Sequence, residues 1–231
     1  MKKNFIFGLI FFISNIANAL SIDTMLLVGD KSGNGVFTLT NDDSYTTYVS
    51  GSIIKFDVQG EEIIRTPYDN SNLMDWEITL THPQVIIESG LKRNVGVRSL
   101  CIGECNFDKD RVYQINFAPA PYSENEGEAP VVALNVGYAP LYIIPAHESK
   151  VSYNIENNGE YLYVENTGNT FLRVGIDQCT KEITNNCRAA FTVLAGRKKS
   201  FLLPEVIQSH TLNAVILNHD SSFVRRVRLT Q

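Results

Sequence analysis

The chain lacks helical periodicity of useful length, and it lacks the short signatures of catalysis. No GxSxG, HExxH or phosphate-binding loop occurs. The histidines His82, His147, His210 and His219 are dispersed, and none sits in a metal or nucleophile motif. These absences argue against an enzyme, and no cofactor or metal is expected. Basic excess is also missing. With 20 Lys+Arg against 25 Asp+Glu the formal charge is −5, which gives no reason to expect nucleic-acid binding. Beyond the N-terminus no apolar run is long and unbroken enough to cross a membrane.

The N-terminus itself reads as a secretory signal. Lys2 and Lys3 precede the apolar Phe5 to Ile13, and Ala17-Asn18-Ala19 has the small-x-small pattern of a cleavage site. The expected mature chain starts at Leu20, and loss of the two lysines takes −5 to −7. All 4 cysteines lie in the exported part, which allows three pairings. The local one, Cys101–Cys105 and Cys179–Cys187, needs no long-range coincidence and suits an oxidising compartment. A metal or redox site at Cys101-Ile-Gly-Glu-Cys105 is disfavoured, because its spacing is too wide and no second cysteine pair stands at zinc-ribbon distance.

What the chain does have is strand formers at short spacing, separated by polar turns, in both halves. That pattern points to an all-β protein of two immunoglobulin-like sandwiches. Expected strands include Gly35 to Thr40, Tyr45 to Val58, Gln84 to Ile87, Leu91 to Leu100, and Val112 to Phe117 ended by Ala118-Pro119-Ala120-Pro121. In the second half, Tyr161 to Glu165, Asn166-Thr167-Gly168-Asn169 and Phe171 to Ile176 read as a hairpin. Ala190 to Leu194 with Lys198 to Leu203, and Leu212 to Leu217 with Phe223 to Leu229, read as two more. The longest apolar run after the N-terminus is APVVALNVGYAPLYIIP, Ala129 to Pro145. Its internal Pro140 argues against a central strand over its whole length. An edge strand with one apolar face invites pairing by another strand. Pro145 to Glu148 reads as an interdomain elbow, giving a signal at 1–19, a first domain at 20–145 and a second at 146–231.

The order of these features resembles the periplasmic pilus chaperones, the PapD-like family of chaperone–usher systems. The resemblance is carried by GVFTLTN, THPQVIIESGLKRNVGVRSL, DRVYQINFAPAP, VVALNVGYAPLYIIP, VENTGNTFLRVG and LAGRKKSF. It implies two immunoglobulin-like domains in an angled arrangement, with a subunit-binding cleft between them. It implies donor-strand complementation: the chaperone lends a strand to a pilus subunit that lacks its own, then delivers that subunit to an outer-membrane usher. The partners would be pilus subunits and the usher, in the periplasm, without membrane insertion. A self-capping dimer of the free chaperone is left open. The closely spaced Cys179 and Cys187 after the Asn-Thr-Gly-Asn segment look more like the alternative branch, of class 5 or common-pilus type.

Side chains alternate along a strand, so the reading frame decides which ones are donated. Alignment on Ala133-Leu134 donates Val132, Leu134 and Val136, with Tyr138 next on that face. Alignment on Pro145 donates Val131, Ala133 and Asn135. The first frame is preferred because it offers the bulkier residues, and a gap near Gly137 or Pro140 would reconcile the two. The family's usual Arg and Lys anchor for the subunit carboxylate is absent from Thr24-Met25-Leu26-Leu27 and from Ala139-Pro140. Lys31, Lys55 and Arg98 are the candidate replacements. The rival reading is a secreted two-domain immunoglobulin-like adhesin or surface protein.

Overall fold

The computed structural model describes residues 20–101, 107–122, 136–182 and 185–231. Among them the regular structure is strand, apart from two short 3-10 turns, Leu73–Asp75 and Glu205–Ile207. The first half builds two facing sheets. One contains β1 (Leu20–Ile22), β3 (Gly35–Asn41), β8 (Lys92–Ser99) and β6 (Ile78–Leu80), in the order β1-β3-β8-β6. The other contains β2 (Leu26–Val28), β10 (Leu141–Ile144), β9 (Arg111–Pro121), β4 (Thr47–Gln59) and β5 (Glu62–Pro67) in that order, with β7 (Gln84–Ile87) also on β4. Alternate residues of these strands, among them Phe37, Leu39, Val95, Val97, Ile53, Ile115 and Tyr142, fill one core.

The second half repeats the plan. β11 (Tyr153–Asn157), β12 (Tyr161–Asn166) and β15 (Lys198–Leu202) form one sheet. β14 (Arg188–Val193), β13 (Leu172–Asp177), β16 (Thr211–Leu217) and β17 (Val224–Thr230) form the other. Leu162 and Val164 of one sheet meet Leu172, Val174, Ile176 and Ile216 of the other in a second core. The fold is therefore two β-sandwiches, as the strand spacing predicts.

Two of the three expected hairpins are overturned. β12 pairs with β11 and β15, whereas β13 pairs with β14 and β16. The Asn-Thr-Gly-Asn segment is thus a corner between sheets. Asn166 makes it: its Nδ2 donates to the Thr170 and Val193 carbonyls at 2.8 and 3.0 Å, and its Oδ1 accepts the Gly168 N–H at 3.0 Å. Asn41 makes the matching corner of the first sandwich. It donates to the Tyr45 and Ile87 carbonyls, both at 2.8 Å, and accepts the Asp43 N–H at 3.1 Å. Both asparagines are buried, so each feeds three backbone groups that the sandwich interior would otherwise strand. β14 and β15 are likewise in different sheets, joined through the buried Leu194 and Ala195 and the positive φ of Gly196 (75°). Only β16 and β17 form the expected hairpin.

The expected end of β9 at its prolines is also corrected, since the strand runs through Pro121. Phe117 exchanges both backbone hydrogen bonds with Tyr138, and Ile115 donates to the Pro140 carbonyl. Odd-numbered residues of β9 therefore direct their backbone polar groups away from β4. Pro119 and Pro121 lack an N–H on that far side only, so the ladder with β4 survives.

Candidate partner-binding strand and interdomain junction

The apolar run enters the described structure at Val136, which is 53% exposed. Tyr138 bridges to Phe117, and Leu141 pairs with Gln114. Three steps on one strand match three on the other, so no residue is inserted at Pro140. A gap there is ruled out, and Pro140 keeps its place by accepting the Ile115 N–H through its carbonyl at 2.9 Å. Tyr138, Tyr142 and Ile144 face the first core, while Leu141 and Ile143 face the junction. Tyr138 is held there by its phenol, which donates to the Leu20 carbonyl at 2.8 Å. Among the described residues, Tyr138 is the last of this strand to pair with β9. The next β9 residue on that side is Pro119, which has no N–H to donate. A Cβ on Gly137 would lie 2.9 Å from the Phe117 carbonyl oxygen, so this close crossing requires glycine. Val132 and Leu134 lie outside the described residues.

The second sandwich is fastened to the first at the end of this strand. Phe56, Val112 and Ile143 of the first pack with Phe171 and Leu194 of the second. Asp110, 6% exposed, sits beside them. Its Oδ1 accepts the Ala146 N–H at 2.8 Å, and its Oδ2 accepts the Phe171 N–H at 2.7 Å and the Thr170 hydroxyl at 3.4 Å. Asn169 adds donations to the Asp108 and Glu148 carbonyls at 2.7 and 2.8 Å. Burial raises the Asp110 pKa above the usual carboxylate value, against the pull of its hydrogen bonds and of His219. Farther along, Gly60 of the β4–β5 turn accepts the Lys198 N–H at 2.9 Å. The junction is a packed joint whose Ala146 and Phe171 amides are both held by Asp110, and nothing in the sequence pattern marked Asp110 as its centre.

The three candidate anchor cations are not brought together. Lys31 lines a cavity of about 380 Å³ at the elbow with Pro145, His147 and His219. Lys55 is ion-paired with Glu77 at 3.1 Å, and Glu77 also accepts the Tyr113 phenol at 2.6 Å. Burial, then this Glu77 contact, pushes the Tyr113 phenol far above its ordinary range, and burial takes Tyr68 beside it to about 12. Arg98 lies on β8 opposite Thr79, exposed. Cys179 and Cys187 form a disulfide. Cys101 is disulfide-bonded, and its expected partner Cys105 lies outside the described residues, as does the expected signal at 1–19. Among the described residues no helix is long and apolar enough to cross a membrane, and no cluster of three metal-ligating side chains occurs.

The family model of the CS5 fimbrial protein N-terminal domain matches residues 22–145, from the end of β1 through the junction strand of the first sandwich. The chain belongs to that family. Solved structures of fimbrial chaperones share the fold along nearly the full length of this CS5-type chain. The class 5 fimbriae chaperone CfaA is 16% identical with a TM-score of 0.54, covering 92% of this chain and 99% of its own. The CsuC–CsuE chaperone–tip subunit pre-assembly complex of Acinetobacter baumannii gives 14%, 0.56, 92% and 98%. The Salmonella enterica SafA pilin–SafB chaperone complex gives 9%, 0.59, 94% and 99%. No curated protein matches the chain. The two-sandwich fold of this family member is that of the fimbrial chaperones.

Proposed function

We propose that the protein is a periplasmic chaperone that binds and stabilises fimbrial subunits by lending them a strand, and passes them to an outer-membrane usher. One observation carries the reading. The strand that runs through the junction keeps a single register from Ile144 to Tyr138, and the next β9 residue on that side, Pro119, has no N–H to offer a further pair. The even-numbered side chains that fill the first core from Tyr142 and Tyr138 continue, in the same parity, as Val136, Leu134 and Val132. Past the last layer of the chaperone's own core, that face fills the core of a subunit that lacks a strand. The open groove of such a subunit would otherwise expose apolar surface and unpaired backbone groups.

Val132, Leu134 and Val136 are therefore the donated residues, and Tyr138 is the tethered root of the strand. Lys31 is the cation of the three candidates that lies where the sandwiches meet, and it is the proposed contact for a subunit carboxylate. Lys55 and Arg98 serve the first sandwich. The packed joint around Asp110 holds the cleft at one geometry. The domain boundary falls at Pro145, between the last strand of the first sandwich and the Ala146 amide that Asp110 holds.

The test is co-expression in the periplasm with a fimbrial subunit encoded beside it. The reading predicts a soluble one-to-one complex on size exclusion with the wild-type chain. It predicts none with Leu134→Asp combined with Val136→Asp, and degradation of the subunit in that strain. Absence of any complex with the wild-type chain would overturn the reading in favour of a surface protein.

A further inference from the structure

β17 ends the sheet β14-β13-β16-β17, and among the described residues no strand pairs with its far side. Its ladder with β16 fixes which backbone groups face that opening. Gln231 donates its N–H to the His210 carbonyl at 2.9 Å, and Asn218 donates to the Phe223 carbonyl at 3.3 Å. Bonded and unbonded pairs alternate in an antiparallel ladder, so the odd-numbered residues of β17 bond to β16. The N–H and C=O groups of Val224, Arg226, Arg228 and Thr230 therefore point out of the sheet edge.

The side chains of the same residues decide what can pair there. Val227 and Leu229 pack on the core, so Val224, Arg226 and Arg228 lie on the outward face. Val224 is 48% exposed, and both arginines are exposed. The register brings Arg173 of β13 and Arg188 of β14 onto that face as well. Asp177 is its one carboxylate among the described strands, and Arg188 holds it at 2.9 Å. Arg173, Arg226 and Arg228 make no ion pair among the described residues. A chain of formal charge −5 thus gathers four arginines against one aspartate on a single sheet face. Arginine is the cation whose planar fork matches a carboxylate with two parallel hydrogen bonds.

We infer that β17 is the docking edge for an acidic extended segment of a partner protein, which joins the sheet as a further strand. Its backbone bonds to the open groups of Val224, Arg226 and Arg228. Residues directly opposite in a ladder share a face, so carboxylates stand opposite Arg226 and Arg228, and an apolar side chain opposite Val224. Antiparallel addition, the more stable form per residue, reads acidic-x-acidic-x-apolar along the partner. Charge on an exposed edge deters indiscriminate pairing. Here the same charge selects, because a neutral or basic strand gains nothing from the two arginines and an acidic one does. A lipid surface or a polyanion would meet the arginines but leave the edge amides unpaired. The site uses no residue of the junction strand and stands independently of the subunit-binding reading.

The probe is a displayed library of random twelve-residue peptides selected on the intact chain. Enriched peptides should carry two acidic residues at alternate positions. Their affinity should fall at least about tenfold on Arg226→Glu with Arg228→Glu, the loss expected when close charge pairs are reversed. Peptides with lysine in place of those acids should recover binding to this variant and not to the wild-type chain. Hydrogen exchange should show the Arg226 and Arg228 amides open in the free chain and protected by bound peptide, with those of Val227 and Leu229 protected in both. Leu134→Asp with Val136→Asp should leave binding unchanged. The inference is overturned by failure to enrich acidic peptides, by equal binding to the double glutamate variant, or by no recovery with the lysine peptides. It is equally overturned if the Arg226 and Arg228 amides stay open in the complex, if the Leu134 and Val136 variant loses binding, or if anionic vesicles but not peptides occupy the face.

Discussion

The Asp110 carboxylate accepts the Phe171 backbone N–H at 2.7 Å, reaching from the first sandwich into the second. The same carboxylate holds the Ala146 N–H of the connecting segment at 2.8 Å. One side chain thus satisfies two buried amides on either side of the joint. Asp110→Ala leaves both without an acceptor, at about 1–3 kcal/mol for each stranded group. The expected outcome is a calorimetric trace in which one wild-type transition becomes two, with the sandwiches melting separately. A trace that stays single and unshifted would show that the apolar contacts of Phe171 and Leu194 suffice.

The pH dependence of this joint has a definite sign. Burial holds the Asp110 pKa above its unfolded value. The folded chain then binds that proton more tightly than the unfolded chain. The group's contribution to stability grows as the pH falls through the raised native value, and is lost as the pH rises back through it. Asp110→Asn cannot titrate there. Urea unfolding across an acid series should show the wild type gaining on this variant as the pH falls. A gap that moves the other way would mean that the hydrogen bonds outweigh the desolvation.

Asn166 and Asn41 are the corners of the two sandwiches, and each serves three backbone groups. Asn166→Ala should cost about 2–3 kcal/mol through its unpaired carbonyls and amide. Asn166→Asp should cost more, since it turns a carboxylate oxygen toward the carbonyls of Thr170 and Val193. Thermal melts of the two variants, and of Asn41→Ala as the counterpart in the first sandwich, check this order.

The Cys179–Cys187 disulfide closes a short loop, with a sequence separation of 8, ahead of the edge strand β14. Loop-closure entropy for a ring of that size is about 2–3 kcal/mol. Cys179→Ser with Cys187→Ser should lower the melting temperature of the second sandwich and leave subunit capture intact. Loss of capture in that variant would place the loop in the binding surface.

The alternation of inward and outward residues was legible in β8 and β12, because burial of one face imposes a period of two. What alternation does not carry is the identity of the neighbour. Leu162 and Val164 point inward whether β13 lies beside β12 or across the core from it. The Asn166 corner was therefore read as a hairpin turn. The prolines of β9 misled for a related reason: whether Pro119 breaks a strand depends on which side its missing N–H faces. Asp110 was invisible because its partners, Ala146 and Phe171, are far away in sequence. For the junction strand, the residues were identifiable from composition, but the question of a gap at Pro140 needed the pairing of Tyr138 with Phe117.

The most direct measurement of strand donation is hydrogen–deuterium exchange over residues 129–144, compared between the free protein and its complex with a fimbrial subunit. Donation through the junction strand predicts that the amides of 131–136 exchange fast in the free chain and become strongly protected in the complex. Tyr142 to Ile144, already paired with β9 and β2, should be protected in both states. Equal exchange of 131–136 in the two states, with new protection elsewhere on the molecule, would contradict the account.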